Sequence, residues 1–292
     1  MEDKIISRVT EILLDKYLLK SKFGKIEAYK RGNIKKNNIL VGDLVECEKS
    51  YDKYMIRRVL ERKNQVIRPP VANIDQMIIV LSIVNPKPDY ILLDKQLILC
   101  KSKNIIPIIC INKIDLCDDL EYIQNVYSKL GIKVLFVSCK ENIGIEELTK
   151  CLVGKVSAFS GNSGVGKSSI IKKIMGDNHD ILVGNLGSKT NKGKHTTKYV
   201  KIYEFMEDSY ILDTPGFSSY ELYDINYKEL KNYYEEFLTC KCEYDDCRHI
   251  LEDENVCDVK RQVAIGKIDE ERYNRYAYIY DKLKQQDDKK YK

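Results

Sequence analysis

Gly161-Asn162-Ser163-Gly164-Val165-Gly166-Lys167-Ser168, followed by Ser169, fits the pattern G-x-x-x-x-G-K-[ST]. It comes directly after an apolar run, Val156 to Phe159, that reads as a strand. It opens a stretch, Ser168 to Met175, that reads as a helix. Strand, glycine-rich loop and helix in that order make a phosphate cradle. The glycines let successive backbone N–H groups converge on phosphate oxygens, the helix N-terminus adds a favourable partial charge, and Lys167 is placed to bridge the β- and γ-phosphates. Ser168 is the expected direct Mg²⁺ ligand. A chance match in a chain of this composition is expected on the order of 0.01 times.

Outward from this loop, further apolar runs (Met77 to Val84, Ile105 to Ile111, Val134 to Val137, Tyr210 to Leu212) alternate with helical stretches (Tyr90 to Lys101, Asp119 to Leu130, Ile145 to Cys151). That alternation predicts a multidomain α/β chain whose central sheet is mostly parallel and covered on both faces. Before it, Gly24 to Leu60 holds short alternating pieces broken by Gly-Asn, Asn-Asn and Gly-Asp turns, the pattern of a small β-barrel. Pro69-Pro70 reads as the boundary. After Asn226 the chain turns Tyr-rich and helical, passes a Cys/His cluster and ends in a charged helix near Asp269 to Leu283, with a frayed tail. The expected domains are 1–68, 69–222 and 223–292.

Ile211-Leu212-Asp213-Thr214-Pro215-Gly216 is a strand ending in D-x-x-G. There Asp213 can hold Mg²⁺ through water and the Gly216 N–H can sense the γ-phosphate. Asn112-Lys113-Ile114-Asp115 follows the strand Ile105 to Ile111 and resembles the guanine-reading motif of GTPases. The Asp115 carboxylate would accept from the base N1–H and the exocyclic amine, a donor pair that adenine lacks. Ser138-Cys139-Lys140, ending the strand Val134 to Val137, matches the second base-contacting loop of such proteins. In an ordinary GTPase these loops follow the phosphate loop. Here they precede it, a circularly permuted order that a parallel sheet tolerates, because the strand ends still line one crevice.

Gly193-Lys194-His195-Thr196-Thr197 lies in a glycine-containing segment suited to a first switch, with Thr196 or Thr197 completing the Mg²⁺ shell. His195 either orients the attacking water as a catalytic group beside Lys167, or hydrogen-bonds the loop. Phe217 stands where many GTPases have a water-positioning Gln, so intrinsic hydrolysis should be slow and a partner should supply the missing group.

The chain of 292 residues carries a formal +5, and residues 1–68 hold 17 Lys+Arg against 10 Asp+Glu, which concentrates positive charge in the first module. The apolar run Met77 to Val84 is far short of the ~20 residues of a membrane span, and Met1 to Leu14 lacks an apolar leader. A cytoplasmic protein without a membrane partner is expected, monomeric by default. Of 10 cysteines, six are scattered singly, whereas Cys242, Cys247, His249 and Cys257 offer three thiolates and an imidazole, a closed tetrahedral set for one structural Zn²⁺. Cys240 competes with Cys242.

Together these motifs resemble the bacterial ribosome-small-subunit-dependent GTPase A (RsgA) family. The likeness runs from about Gly24 to the last helix. It takes in Gly42-Asp43-Leu44-Val45, Ala72-Asn73-Ile74-Asp75-Gln76, the permuted nucleotide motifs, Gly193 to Thr197, Asp213 to Phe217, and the Cys/His cluster with Cys257-Asp258-Val259. The resemblance implies an OB-fold barrel that binds ribosomal RNA, a central permuted P-loop GTPase and a helical zinc-binding domain. It also implies GTP and GDP as ligands, Mg²⁺ with GTP, and hydrolysis stimulated by the small ribosomal subunit during its late maturation. One departure is that seven residues without Pro separate His249 from Cys257, where the family usually has a Pro-containing spacer of five. Two other readings stay open: a nucleotide-switched RNA-binding module with negligible hydrolysis, and a permuted GTPase of the large subunit.

Overall fold

Apolar side chains at every second position make five N-terminal strands: β1 (Ile5–Ile12), β2 (Tyr17–Ser21), β3 (Gly24–Lys30), β4 (Leu44–Ser50) and β5 (Lys53–Val59). The structure is a computed structural model that describes residues 4–32, 39–116, 120–176, 200–213, 221–222 and 224–290, with backbone alone at 213 and 290. The strands pair in the order β1-β2-β3-β5-β4, and β4 returns to β1, so the sheet closes on itself. The β3–β5 pair is parallel and the rest antiparallel, the wiring of an OB-fold barrel. Val9, Leu19, Ala28, Val45 and Ile56 fill it, each without exposed surface.

Pro69-Pro70 lies in the turn between two short paired strands, β6 (Gln65–Val66) and β7 (Val71–Ala72). This hairpin is stitched to the barrel. Ala72 N donates to Val41 O at 3.0 Å and Asn73 Nδ2 to Gly42 O at 3.1 Å. Gly42 has φ +94°, and a Cβ there would stand 2.0 Å from the Ala72 carbonyl oxygen, so only glycine fits. The adjacent Asp43 is buried, accepting two bonds from Arg62 at 2.7 and 2.8 Å and one from Leu40 N at 2.7 Å.

The central sheet contains β8 (Gln76–Ser82), β9 (Ile106–Asn112), β10 (Lys133–Val137), β11 (Val156–Ser160), β12 (Lys201–Met206) and β13 (Ser209–Asp213). Their order is β10-β9-β8-β11-β13-β12, parallel except for β12, which makes an antiparallel hairpin with β13. Met77, Ile79 and Leu81 point to one face, against α1 (Tyr90–Ser102) and α2 (Glu121–Tyr127). Ile78 and Val80 point to the other, against α3 (Ile145–Leu152) and α4 (Lys167–Met175). Both faces are therefore dry, as continuous apolar runs require. The second helix is shorter than its pattern predicts: after Tyr127 it tightens into a 3₁₀ turn over Ser128–Leu130, ended by Gly131 at φ +72°, and residues 117–119 lie outside the described residues.

The barrel joins this sheet edge to edge, with Glu11 of β1 opposite Lys201 of β12. Lys201–Glu11 and Lys20–Glu204 ion pairs, both 2.6 Å, flank the junction, and the Arg8 guanidinium lies over the Tyr210 ring. The C-terminal region holds a 3₁₀ stretch (Tyr227–Tyr233), one helical turn (Glu235–Leu238), α5 (Asp258–Ala264) and the long α6 (Glu270–Lys290). Tyr234, Phe237 and Tyr276 pack ring to ring, 4.9 to 5.1 Å apart, and merge with the core that lies under α1. Among the described residues, no helix is long and apolar enough to cross a membrane.

Candidate nucleotide site and metal centre

Because β8 to β11 and β13 run parallel, their C-terminal ends emerge on one margin of the sheet, and the loops that leave them meet there. The glycine-rich loop leaves β11 with Gly161 at φ +136°, Gly164 at +81° and Gly166 at +98°, then enters α4 at Lys167. A Cβ on Gly161 would lie 2.1 Å from Val80 O, and one on Gly166 would lie 2.1 Å from Asn112 Nδ2. Lys167 Nζ lies 2.5 and 3.0 Å from the carbonyl oxygens of Gly161 and Asn162, over the loop that it is expected to serve. Ser163, Gly164, Ser168 and Ser169 are exposed, whereas Val165 is a core side chain that contributes its carbonyl alone.

Asn112 is that carbonyl's partner: its Nδ2 donates to Val165 O at 2.9 Å. Its Oδ1 is buried without a partner, an acceptor at the loop crossing that a ligand donor could complete. Lys113, at φ +65°, reaches back to donate to Gly164 O at 2.8 Å and to Asn85 O. Ile114 begins a 3₁₀ turn, and the exposed Asp115 carboxylate accepts from Ser138 Oγ at 2.6 Å. Ser138 Oγ in turn accepts from Glu141 N at 3.1 Å, which fixes the turn holding Cys139 and Lys140. Burial pushes the Cys139 thiol up, with Lys173 opposing, so the thiol stays neutral. Lys140 is exposed beside Glu141. The N-K-I-D and S-C-K segments, far apart in sequence from the glycine-rich loop, are thus hydrogen-bonded to it or to each other.

Asp213 ends β13 opposite Phe159, at the level where β11 turns into the loop. Ser168 and Asp213 offer only oxygen donors, which suits a hard cation such as Mg²⁺. His195, Thr196, Thr197, Gly216 and Phe217 lie outside the described residues. The structure adds groups that motif reading passed over. Asp89 accepts from Asn162 Nδ2 at 3.2 Å, and Gln96 donates to Ser160 Oγ at 2.6 Å. Asp89 carried a local signal, as a helix-capping carboxylate three residues before Leu92; Gln96 carried none.

In the C-terminal region, the ligand atoms of Cys242, Cys247, His249 and Cys257 lie within 4.8 Å of one another. The three sulfurs are 3.3 to 3.5 Å from His249 Nδ1. Zinc at tetrahedral angles, with its usual bonds to sulfur and imidazole nitrogen, sets sulfur and nitrogen about 3.5 Å apart, so the donor set fits that ion. Cys240 stands aside, its thiol 3.5 Å from Glu236 O. Burial, with help from Lys231, lowers the pKa of His249 to about 4 and keeps the ring neutral, as a ligand must be. The frame around the cluster is well bonded. Tyr273 OH donates to His249 O at 2.7 Å, Tyr276 OH to Arg248 O at 2.6 Å, and Lys231 Nζ to Cys247 O at 2.9 Å. With four protein ligands and no open position, a metal here would be structural.

Comparison with known proteins agrees with this geometry. The RsgA GTPase family model matches residues 59–223. The small ribosomal subunit biogenesis GTPase RsgA of Caldanaerobacter subterraneus subsp. tengcongensis is 38% identical over 297 residues, covering 99% of each chain. Its namesake from Ruminiclostridium cellulolyticum is 40% identical over 268 residues, covering 88% of this chain and 86% of that one. Among solved structures, YjeQ from Thermotoga maritima superposes with a TM-score of 0.81 at 32% identity, covering 96% of this chain and 99% of its own. YloQ, described as a circularly permuted GTPase, gives 0.80 at 28%, covering 97% and 96%. A family model over more than half of the chain, and relatives that match it almost from end to end, make the conclusion direct: the chain belongs to the RsgA GTPase family and is a GTP-hydrolysing enzyme.

Proposed function

We propose that this GTPase acts in late maturation of the small (30S) ribosomal subunit. It binds ribosomal RNA through the basic barrel, hydrolyses GTP to GDP and phosphate when the subunit stimulates it, and then dissociates. The observation that carries the reading is the edge-to-edge junction of β1 with β12, because β12 directly follows in sequence the segment holding Thr196 and Thr197. A surface that meets RNA is thereby continuous with the strand leaving the nucleotide site. The names of the RsgA relatives and the excess of Lys and Arg in residues 1–68 support the same reading.

In this reading Asp115, held by Ser138, accepts from the guanine, with Asn112, Lys113 and the Ser138 to Lys140 turn framing the base. The loop from Gly161 to Ser169 wraps the phosphates and Lys167 bridges the β- and γ-groups. Mg²⁺ bound with GTP would neutralise charge on the phosphate oxygens, held by Ser168, by Thr196 or Thr197, and by Asp213 through water. Gly216 reports the γ-phosphate, and His195 orients the water. One Zn²⁺ ties the C-terminal loop together. The working units are 1–68, 69–222 and 223–292, in a cytoplasmic monomer.

The test is turnover of GTP and ATP by the purified protein, alone and with small or large ribosomal subunits, with Lys167→Ala as the blank. Stimulation specific to GTP and to the small subunit is expected. Equal failure of both subunits to stimulate would remove the ribosomal role while leaving the GTPase intact.

A further inference from the structure

Helix α1 reaches three parts of the molecule through four polar side chains. At its start, Asp89 accepts from Leu92 N at 2.9 Å with one oxygen and from Asn162 of the phosphate loop at 3.2 Å with the other. Gln96, without exposed surface, donates to Ser160 Oγ, the residue just before Gly161. Lys95 Nζ pairs with both oxygens of Glu221 at 2.9 and 2.8 Å, on the segment leading from D-T-P-G into the C-terminal region. Asp94, with no exposed side-chain surface, takes Arg275 Nε at 2.6 Å and Tyr127 OH at 3.0 Å, together with Arg272 Nη1. Both arginines come from α6. Arg272 also meets Glu236 and lies over the Tyr234 ring at 4.7 Å, and Arg275 lies over Tyr90 at 5.3 Å. Consecutive helical residues point about 100° apart. Positions 94, 95 and 96 therefore face the zinc-bearing region, the segment after D-T-P-G and the phosphate loop from one turn of helix.

We propose that Asp94 is a positioning residue for the phosphate loop: docking of α6 on Asp94 sets the place of α1, which in turn holds Asn162 through Asp89 and Ser160 through Gln96. A desolvated cluster of this kind has one good geometry and tolerates no partial separation. The partners of Asp94 are Tyr127, Arg272 and Arg275, none of them in the phosphate loop, so its proposed effect on affinity is one of position, passed along the helix. Linkage then runs both ways, and nucleotide binding must tighten the docking of α6 by the same factor. The inference rests on the GTPase site alone and stands whether or not the ribosomal role does.

The experiment compares zinc-loaded full-length wild type, Asp94→Asn, Asn162→Ala and the double variant. It reads dissociation constants for fluorescent GDP and a non-hydrolysable GTP analogue, and amide exchange over Tyr276 to Leu283. Asp94→Asn is expected to weaken nucleotide binding at least about 5-fold, with a clearly smaller loss in the Asn162→Ala background. GDP is expected to slow exchange in α6 of the wild type, and to slow it less in Asn162→Ala. The proposal is overturned if α6 exchange rises in Asp94→Asn while affinity stays within about 2-fold of wild type, or if the loss is the same in both backgrounds. Should Asp94→Asn fail to fold, Arg275→Lys, which keeps the charge and gives up the forked geometry, carries the same comparison.

Discussion

The GTPase sheet is held between two neighbours, and the joints differ in what they are made of. Toward the barrel, the ion pairs Lys201–Glu11 and Lys20–Glu204 leave 17 to 29% of each side chain exposed. Toward the C-terminal region, Asp94 is wholly buried and Arg272 and Arg275 are 6 and 10% exposed. Wet pairs are worth about 0 to 1 kcal/mol, weaken with salt and re-form with water at little cost. Dry clusters give little net stability over an apolar core, yet losing one member costs about 3 to 5 kcal/mol. The β1–β12 edge is thus the wetter part of the barrel joint, while the hairpin bonds to Val41 and Gly42 and the buried Asp43 hold its other side. The α1–α6 joint is as buried as the core around it, which is the arrangement that the proposed coupling requires.

Five expected outcomes would break or sharpen that contrast, the largest first. Stripping metal with a chelator, or Cys247→Ser, should unfold the C-terminal loop region, because structural zinc supplies most of the folding energy of such small modules; loss of metal from the protein and of ordered amides over 240–257 are the readouts. Ordered amides over 240–257 that persist once the metal is gone would deny a structural metal role to the cluster. Asp94→Ala should lower unfolding free energy by about 3 to 5 kcal/mol in denaturant titration, through two guanidinium groups left without their partner. A loss under about 1 kcal/mol would mean that water reaches this joint as it reaches the other. Gly42→Ala should cost about 1 to 3 kcal/mol, since φ +94° and the Ala72 carbonyl both oppose a Cβ.

Glu11→Gln should cost at most about 1 kcal/mol, and the difference should shrink as salt is raised. The smallest effect belongs to Glu46, whose carboxyl is held below its ordinary 4.5 by a hydrogen bond from Arg58 with Lys4 nearby. A carboxyl lowered in the folded state stabilises above its unfolded value and stops doing so as pH falls through the folded one. The small advantage of wild type over Glu46→Gln at neutral pH should therefore disappear in acid; persistence would assign it to packing.

How much of this was legible in the residues depended on distance along the chain. The glycine-rich loop could be read because strand, turn glycines, Lys167 and helix are contiguous and each has a local reason. A small barrel, the parallel sheet and the grouping of Cys242, Cys247, His249 and Cys257 follow from periodicity and spacing in the same way, whereas the OB type of the barrel was implied by the family resemblance alone. Asp94 with Arg272 and Arg275 could not be read, since a carboxylate inside an apolar helix shows nothing of partners some 180 residues later. Gln96 is silent for the same reason. Pro69-Pro70 read as a boundary, with no sign of the hairpin built across it. Cys240 and Cys242 were equivalent on paper, and the turn at Glu235–Leu238 separates them by giving the Cys240 thiol a carbonyl to bind.

The closed barrel at one end of the eleven-stranded sheet has a consequence for life in a crowded solution. A strand margin with unpaired N–H and C=O groups invites another chain to add to it. Here β4 returns to β1, and β1 meets the start of the β12 edge at Glu11 and Lys201, with the Lys20–Glu204 ion pair beyond it, so among the described strands of this sheet the margin with no strand beside it is β10. That strand is five residues long and begins at Lys133, whose ammonium lies against Glu147 and Cys151. Shortness and a lysine blunt the β10 margin as a template for unwanted assembly, and closure of the barrel removes the margins that its described strands would otherwise offer.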